Sequence, residues 1–179
     1  MSRKRLIALA AVVIAVVGAG GGMVLSARAG DSALDAARSE TAKFHRLDVA
    51  KASGYGLFVD ANGIACIDLP GAGAMGIHFV NGDLVGNPAI DATKPEALVY
   101  EPEQNGQMRL VALEYIVIKS AWDATHSGPP SLFGRTFNLT LSPNRYGLPD
   151  FYSLHAWIWK HNPVDMFAPW NPEATCAAA

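Results

Sequence analysis

"ALVYEPEQNGQMRLVALEYIVIK", residues 97–119, sets two apolar runs on either side of Asn105-Gly106, and its reading decides the fold. Asn-Gly suits a two-residue type I′ turn, because both central positions of that turn need a positive φ. Such a turn predicts a hairpin in which Glu103 faces Met108, Glu101 faces Leu110 and Ala97 faces Glu114. Alternation then puts Leu110, Ala112, Glu114, Ile116 and Ile118 on one face and Val111, Leu113, Tyr115 and Val117 on the other. Both faces are apolar, so the second strand is expected to be central and covered on both sides, with Glu114 buried.

Working outward, "MGIHFVNGDLVG" at 75–86 reads as a strand followed by Asn81-Gly82, and "FYSLHAWIWKH" at 151–161 as another strand. "GLFVDANGIACIDLPG" at 56–71 carries two short strand-like runs around Asn62-Gly63, a hairpin signal. Residues 31–53 read as a helix: Leu34, Ala37, Thr41, Phe44 and Leu47 fall on one stripe, and Gly54 follows as a stop. Residues 120–150 read as a long irregular loop with one short strand at Phe137–Leu141, and 162–179 as a Pro-rich closing segment. The expected architecture is α+β: a mainly antiparallel β-sheet or small barrel-like domain with one N-terminal helix, a single domain over residues 30–179.

A basic stub, an apolar stretch and the small-residue site Ala27-Arg28-Ala29 read as a secretory signal peptide over residues 1–29, cleaved after Ala29. The competing reading is an uncleaved membrane anchor, since residues 6–25 are long enough to span a bilayer. Removing residues 1–29 takes Arg3, Lys4, Arg5 and Arg28 from the 14 basic residues and none of the 16 acidic ones, leaving a net charge of −6. An acidic domain without a basic stripe is a poor partner for nucleic acid or an anionic membrane, and small molecules, metal ions or proteins fit better. In an exported chain, Cys66 and Cys176 are expected to form a disulfide that pins the tail to the domain.

An isolated buried carboxylate costs several kcal/mol, so Glu114 needs a proton, hydrogen bonds or a cation. Two other strands each carry a single histidine amid apolar neighbours: His78 shares a face with Gly76 and Val80, and His155 with Phe151, Ser153, Trp157 and Trp159. Two imidazoles and one carboxylate can hold zinc, iron or manganese and leave positions open for water or substrate. The same three residues can instead line a metal-free ligand pocket, or form a satisfied polar network that only fixes strand register. His45, His126 and His161 read as exposed, and Trp157, Trp159, Phe167 and Trp170 as core and edge cover. "GAGAMG" at 71–76 precedes a strand, so it offers no helix N-terminus to a phosphate. Glu101 and Glu114, on one face but roughly 13 Å apart along the strand, are too distant for a glycosidase pair.

The segments "MGIHFVNGDLVG", "PEALVYEP", "RLVALEYIV" and "FYSLHAWIWKHNPVDMFAPWNP" together resemble a group of exported bacterial proteins with no established activity, over most of residues 40–176. The resemblance implies export and carries no cofactor or catalytic residue. Three function classes follow from the residues. The first is an exported domain that binds a small ligand or metal through His78, Glu114 and His155. The second is a metal-dependent hydrolase or oxygenase using the same ligands. The third is a cell-envelope structural or protein-interaction domain without a small-molecule site.

Overall fold

The computed structural model describes residues 21–177, with side chains from Ala29 onward. Most of the expected signal segment, residues 1–20, lies outside the described residues. Helix α1 (Gly21–Thr41) runs through a 3₁₀ turn at Ala42–His45 into α2 (Leu47–Ala52), so the expected single helix over 31–53 is broken in two. Its stripe meets the sheet as expected: Ala37, Thr41 and Phe44 are buried. The Tyr100 hydroxyl donates to the Phe44 carbonyl at 2.6 Å, tying the turn down. Burying a side chain of the size of Phe44 contributes about 1.5–3 kcal/mol.

The strands are β1 (Gly56–Leu57), β2 (Cys66–Leu69), β3 (Gly73–Val80), β4 (Ala97–Pro102), β5 (Met108–Ile118), β6 (Ser131–Leu132), β7 (Arg135–Thr136), β8 (Asn138–Thr140) and β9 (Phe151–Ala156). Short helices α3 (Gly82–Val85) and α4 (Lys119–Asp123) follow β3 and β5. The main sheet is antiparallel, in the order β1-β3-β4-β5-β9-β8, with β2 also on β3. It ends in β1 and β2 on one side and β8 on the other, so it is an open sheet and the barrel-like alternative is not what forms. β5 is central, as its two apolar faces require.

Three local expectations fail for identifiable reasons. Asn62-Gly63 does not join a paired hairpin: β1 and β2 lie in tandem along one edge of β3, and the Asp60 side chain builds the turn between them by accepting from the Asn62 and Ile64 amides, each at 2.9 Å. Residues 120–150 are not one loop, because β6 and β7 form a two-stranded ribbon there. The turn at Asn105-Gly106 is longer than two residues: Pro102 faces Met108, the Gly106 amide donates to the Glu103 carbonyl, and Gly106 takes a φ of 75°. That is a turn closed by a left-handed glycine. Glu101 accordingly faces Arg109 rather than Leu110, yet Ala97 faces Glu114 as expected, because Val111 is an extra residue between the pairs Tyr100–Leu110 and Val99–Ala112. The bulge turns Leu110 over to pack with Leu113, Tyr115 and Val117, beneath the helices.

The opposite face of the sheet is covered by chain from the C-terminal half. Its lower part is capped by the tail, where Ala74, Val99, Val111, Ala112, Trp157 and Ala174 pack with Cys176. Cys66 and Cys176 are disulfide-bonded, with Cα atoms 5.6 Å apart. Gly73 lets the tail approach: a Cβ there would stand 2.1 Å from the Asn171 carbonyl oxygen. Glu101 accepts from Lys160, Arg109 and the Thr175 amide. Although burial works to raise its pKa, these donors hold its carboxyl below the usual range. Glu101 is thus a structural anchor, far from Glu114's chemistry. The upper part of the face carries Ala97, Ile116 and Phe151 under Tyr146 and Leu148.

Candidate metal centre

His78, Glu114 and His155 stand on β3, β5 and β9, and pleat alternation turns all three toward the face away from the helices. Glu114 and His155 are directly opposed partners. His78 is two strands away from Glu114 and staggered from it by two residues, about 9.5 Å across the strands and about 6.6 Å along them. The intervening β4 presents Ala97 opposite Glu114 and Val99 opposite His78, and the methyl of Ala97 leaves room for the two long side chains to meet above it. His78 Nε2 lies 3.3 Å from one carboxylate oxygen of Glu114, and His155 Nδ1 lies 3.5 Å from the other. The imidazole rings meet edge to face with centroids 5.8 Å apart, and Trp157 stacks on the far side of His155.

All three residues are buried, with exposures of 4% for His78, 7% for Glu114 and 2% for His155. Each offers one ligand atom, and these atoms lie within 4.8 Å of one another. A tetrahedral metal with bonds of about 2.0–2.2 Å to nitrogen and oxygen holds its donors roughly 3.3–3.6 Å apart. The two histidine–carboxylate distances already match that spacing, and the widest pair of the three would close by up to about 1.4 Å, by rotation of the side chains, to complete the set. The outer nitrogens, His78 Nδ1 and His155 Nε2, have no hydrogen-bond partner among the described residues.

Charge argues in the same direction. Burial works to raise the Glu114 pKa, but His155, then His78 and the Ser153 hydroxyl, outweigh it and hold the carboxyl at about 2. Burial in turn pushes His155 down, His78 adds to that, and only Glu114 opposes it. The carboxylate therefore wants a positive neighbour while burial removes that charge from His155. Two imidazole donors face Glu114 and favour its anionic form, and a cation among the three residues would satisfy both demands.

Beside this cluster lies a cavity of about 220 Å³. His78 and Glu114 form its polar floor, and Phe58, Met75, Ile116, Tyr146 and Phe151 supply its walls. His155 does not reach it. The outer wall is two loops held by Arg145, whose guanidinium donates to the Asp60 carboxylate at 2.8 Å and whose carbonyl accepts from the Ala61 amide at 2.9 Å. Alternation places Ile116 beside Glu114 and Phe151 beside His155, but it gives no sign of the loop residues Phe58 and Tyr146, since loops have no periodicity; only the Asp60-Ala-Asn-Gly turn hints at order there.

The other histidines stand apart from the cluster. His45 is exposed and edge-on to Trp159, His126 is exposed and stacks on Trp122, and His161 is exposed near Glu173. Glu96, unforeseen from the sequence, is buried and accepts from the Ile116 amide at 2.9 Å; burial lifts its pKa to about 7. Comparison with protein-family models, with curated proteins and with solved structures finds no match to this chain.

Proposed function

We propose that this chain is an exported metal-binding domain, in which His78, Glu114 and His155 hold one zinc, iron or manganese ion. The observation that carries the reading is the convergence of two imidazoles and one carboxylate from three separate strands, their ligand atoms within 4.8 Å of one another. These donor types suit zinc, iron and manganese alike. Export is supported by the basic-apolar-small order of residues 1–29 and by the Cys66–Cys176 disulfide, a bond that persists in oxidising compartments. Elemental analysis of the purified, oxidised chain tests the metal reading: one ion per chain is expected, with loss of it in His155→Ala. A chain without metal that also fails to take up zinc in titration would leave the three residues as a polar network that fixes strand register.

A metal-assisted hydrolase or oxygenase is the second reading, favoured by the cavity that ends on His78 and Glu114. Three protein ligands leave coordination positions for water or substrate, and a metal there would supply Lewis acidity or an activated water.

A further inference from the structure

The cavity beside the cluster has a composition that specifies its occupant. Its walls are apolar or aromatic, and the one hydroxyl among them, that of Tyr146, is directed to the Met75 sulfur at 3.5 Å. Polar groups converge only at the floor, where the Glu114 carboxylate offers acceptors beside the His78 ring. The rim is built by exposed Gly82 with the half-buried Val85 and Leu148, so the cavity reaches the surface. Its volume of about 220 Å³ exceeds the roughly 150 Å³ at which a dry apolar cavity accepts benzene.

We infer that this cavity binds a small, ring-sized apolar molecule carrying a single hydroxyl, with the ring against the aromatic walls and the hydroxyl at the Glu114–His78 floor. A hydroxyl both donates and accepts. It can therefore donate to the Glu114 carboxylate while accepting from the His78 Nε2 beside it, or coordinate a metal held there. A carboxylate head would repel Glu114 in the metal-free chain, and an ammonium, though its charge suits Glu114, brings three donors to a floor whose carboxylate is the acceptor while the walls offer none. A molecule with several polar groups would leave the extra ones unpaired against the walls. The inference deepens the metal reading by naming the ligand class of the same site, and it stands with or without the ion.

Thermal unfolding of the oxidised full chain, in EDTA-treated and zinc-loaded forms, tests it with phenol and toluene as probes. Phenol is expected to raise the unfolding midpoint by about 3 °C or more in both forms, as a ligand bound only by the folded state does. Toluene at the same concentration should give less than half that shift. Leu148→Trp and Val85→Phe, two independent ways of filling the cavity from its rim, should each abolish the phenol shift; near-UV circular dichroism checks that they fold. No phenol shift in either form, a toluene shift equal to that of phenol, or a phenol shift that survives in a folded filling variant would overturn the inference. Zero zinc per chain with the phenol shift intact would overturn the metal reading alone and support the pocket.

Discussion

Glu114 is a carboxylate that burial alone would protonate, and it stays ionised because two imidazoles stand within 3.5 Å of it. Glu114→Gln keeps the shape and removes the charge, so both imidazoles lose their acceptor anion. It should abolish metal uptake and destabilise the fold by about 1–3 kcal/mol in urea unfolding. Combining it with His155→Ala should cost less than the two single losses together, because members of one network couple; strict additivity would separate them. Glu96 behaves oppositely. The folded chain keeps its proton up to about pH 7 while the unfolded chain releases it near 4.5, so between those values the folded state binds more protons and stability falls as pH rises. The loss amounts to about 3 kcal/mol at most by pH 8. Glu96→Gln should be less pH-dependent across that window, and parallel pH profiles for the two proteins would disprove the assignment. Glu114 was legible because a lone charge in an apolar strand demands partners. Glu96 was not: nothing in the pattern beside Pro95 marks it, and only the end of the β4 ladder leaves the Ile116 amide for it.

Among the elements, β4 decides whether the cluster exists. Its Ala97 methyl is fully buried between the His78 and Glu114 strands. A larger side chain there would fill the gap the two side chains reach across. Ala97→Leu should therefore break the His78–Glu114 contact and lower zinc affinity at least tenfold by calorimetric titration, with overpacking costing about 1–3 kcal/mol besides. Unchanged zinc affinity in a folded Ala97→Leu chain would refute that geometry. The β4–β5 hairpin also shows how far periodicity reads. A two-residue turn pairs Ala97 with Glu114 as the structure does, although the turn formed is longer, since its extra residue and the bulge at Val111 offset each other. Alternation cannot reveal a bulge between two apolar residues, so it puts Leu110 on the face of Glu114, whereas Leu110 packs with Leu113 and Tyr115. The bulge has its own use: the Val111 carbonyl accepts from the Trp159 amide at 3.2 Å, beyond the end of β9.

Over the whole molecule, the helices cover one face of an open sheet and the tail with the loop around Tyr146 covers the other, so the site sits under chain that has little regular structure. Hydrophobic patterning makes the sheet and helix legible; the outer wall of the cavity, at Phe58 and Tyr146, comes from loops that touch only after the sheet has formed. The Cys66–Cys176 bond closes a loop with a sequence separation of 110, which reduces the entropy of the unfolded chain by an amount worth up to about 5 kcal/mol. Cys66→Ser with Cys176→Ser should lose most of that in urea unfolding, and an unchanged midpoint would mean the tail's packing and the Glu101 contacts suffice. The same bond encloses His78, Glu114 and His155 within one covalent ring of chain. Residues 123–129 are exposed and lie between Glu114 and His155. A protease that nicks the chain there would leave two fragments still joined through sulfur, with two donors on one and the third on the other. Such a nicked form should run as one band without reductant and as two with it, and should keep its zinc until the disulfide is reduced.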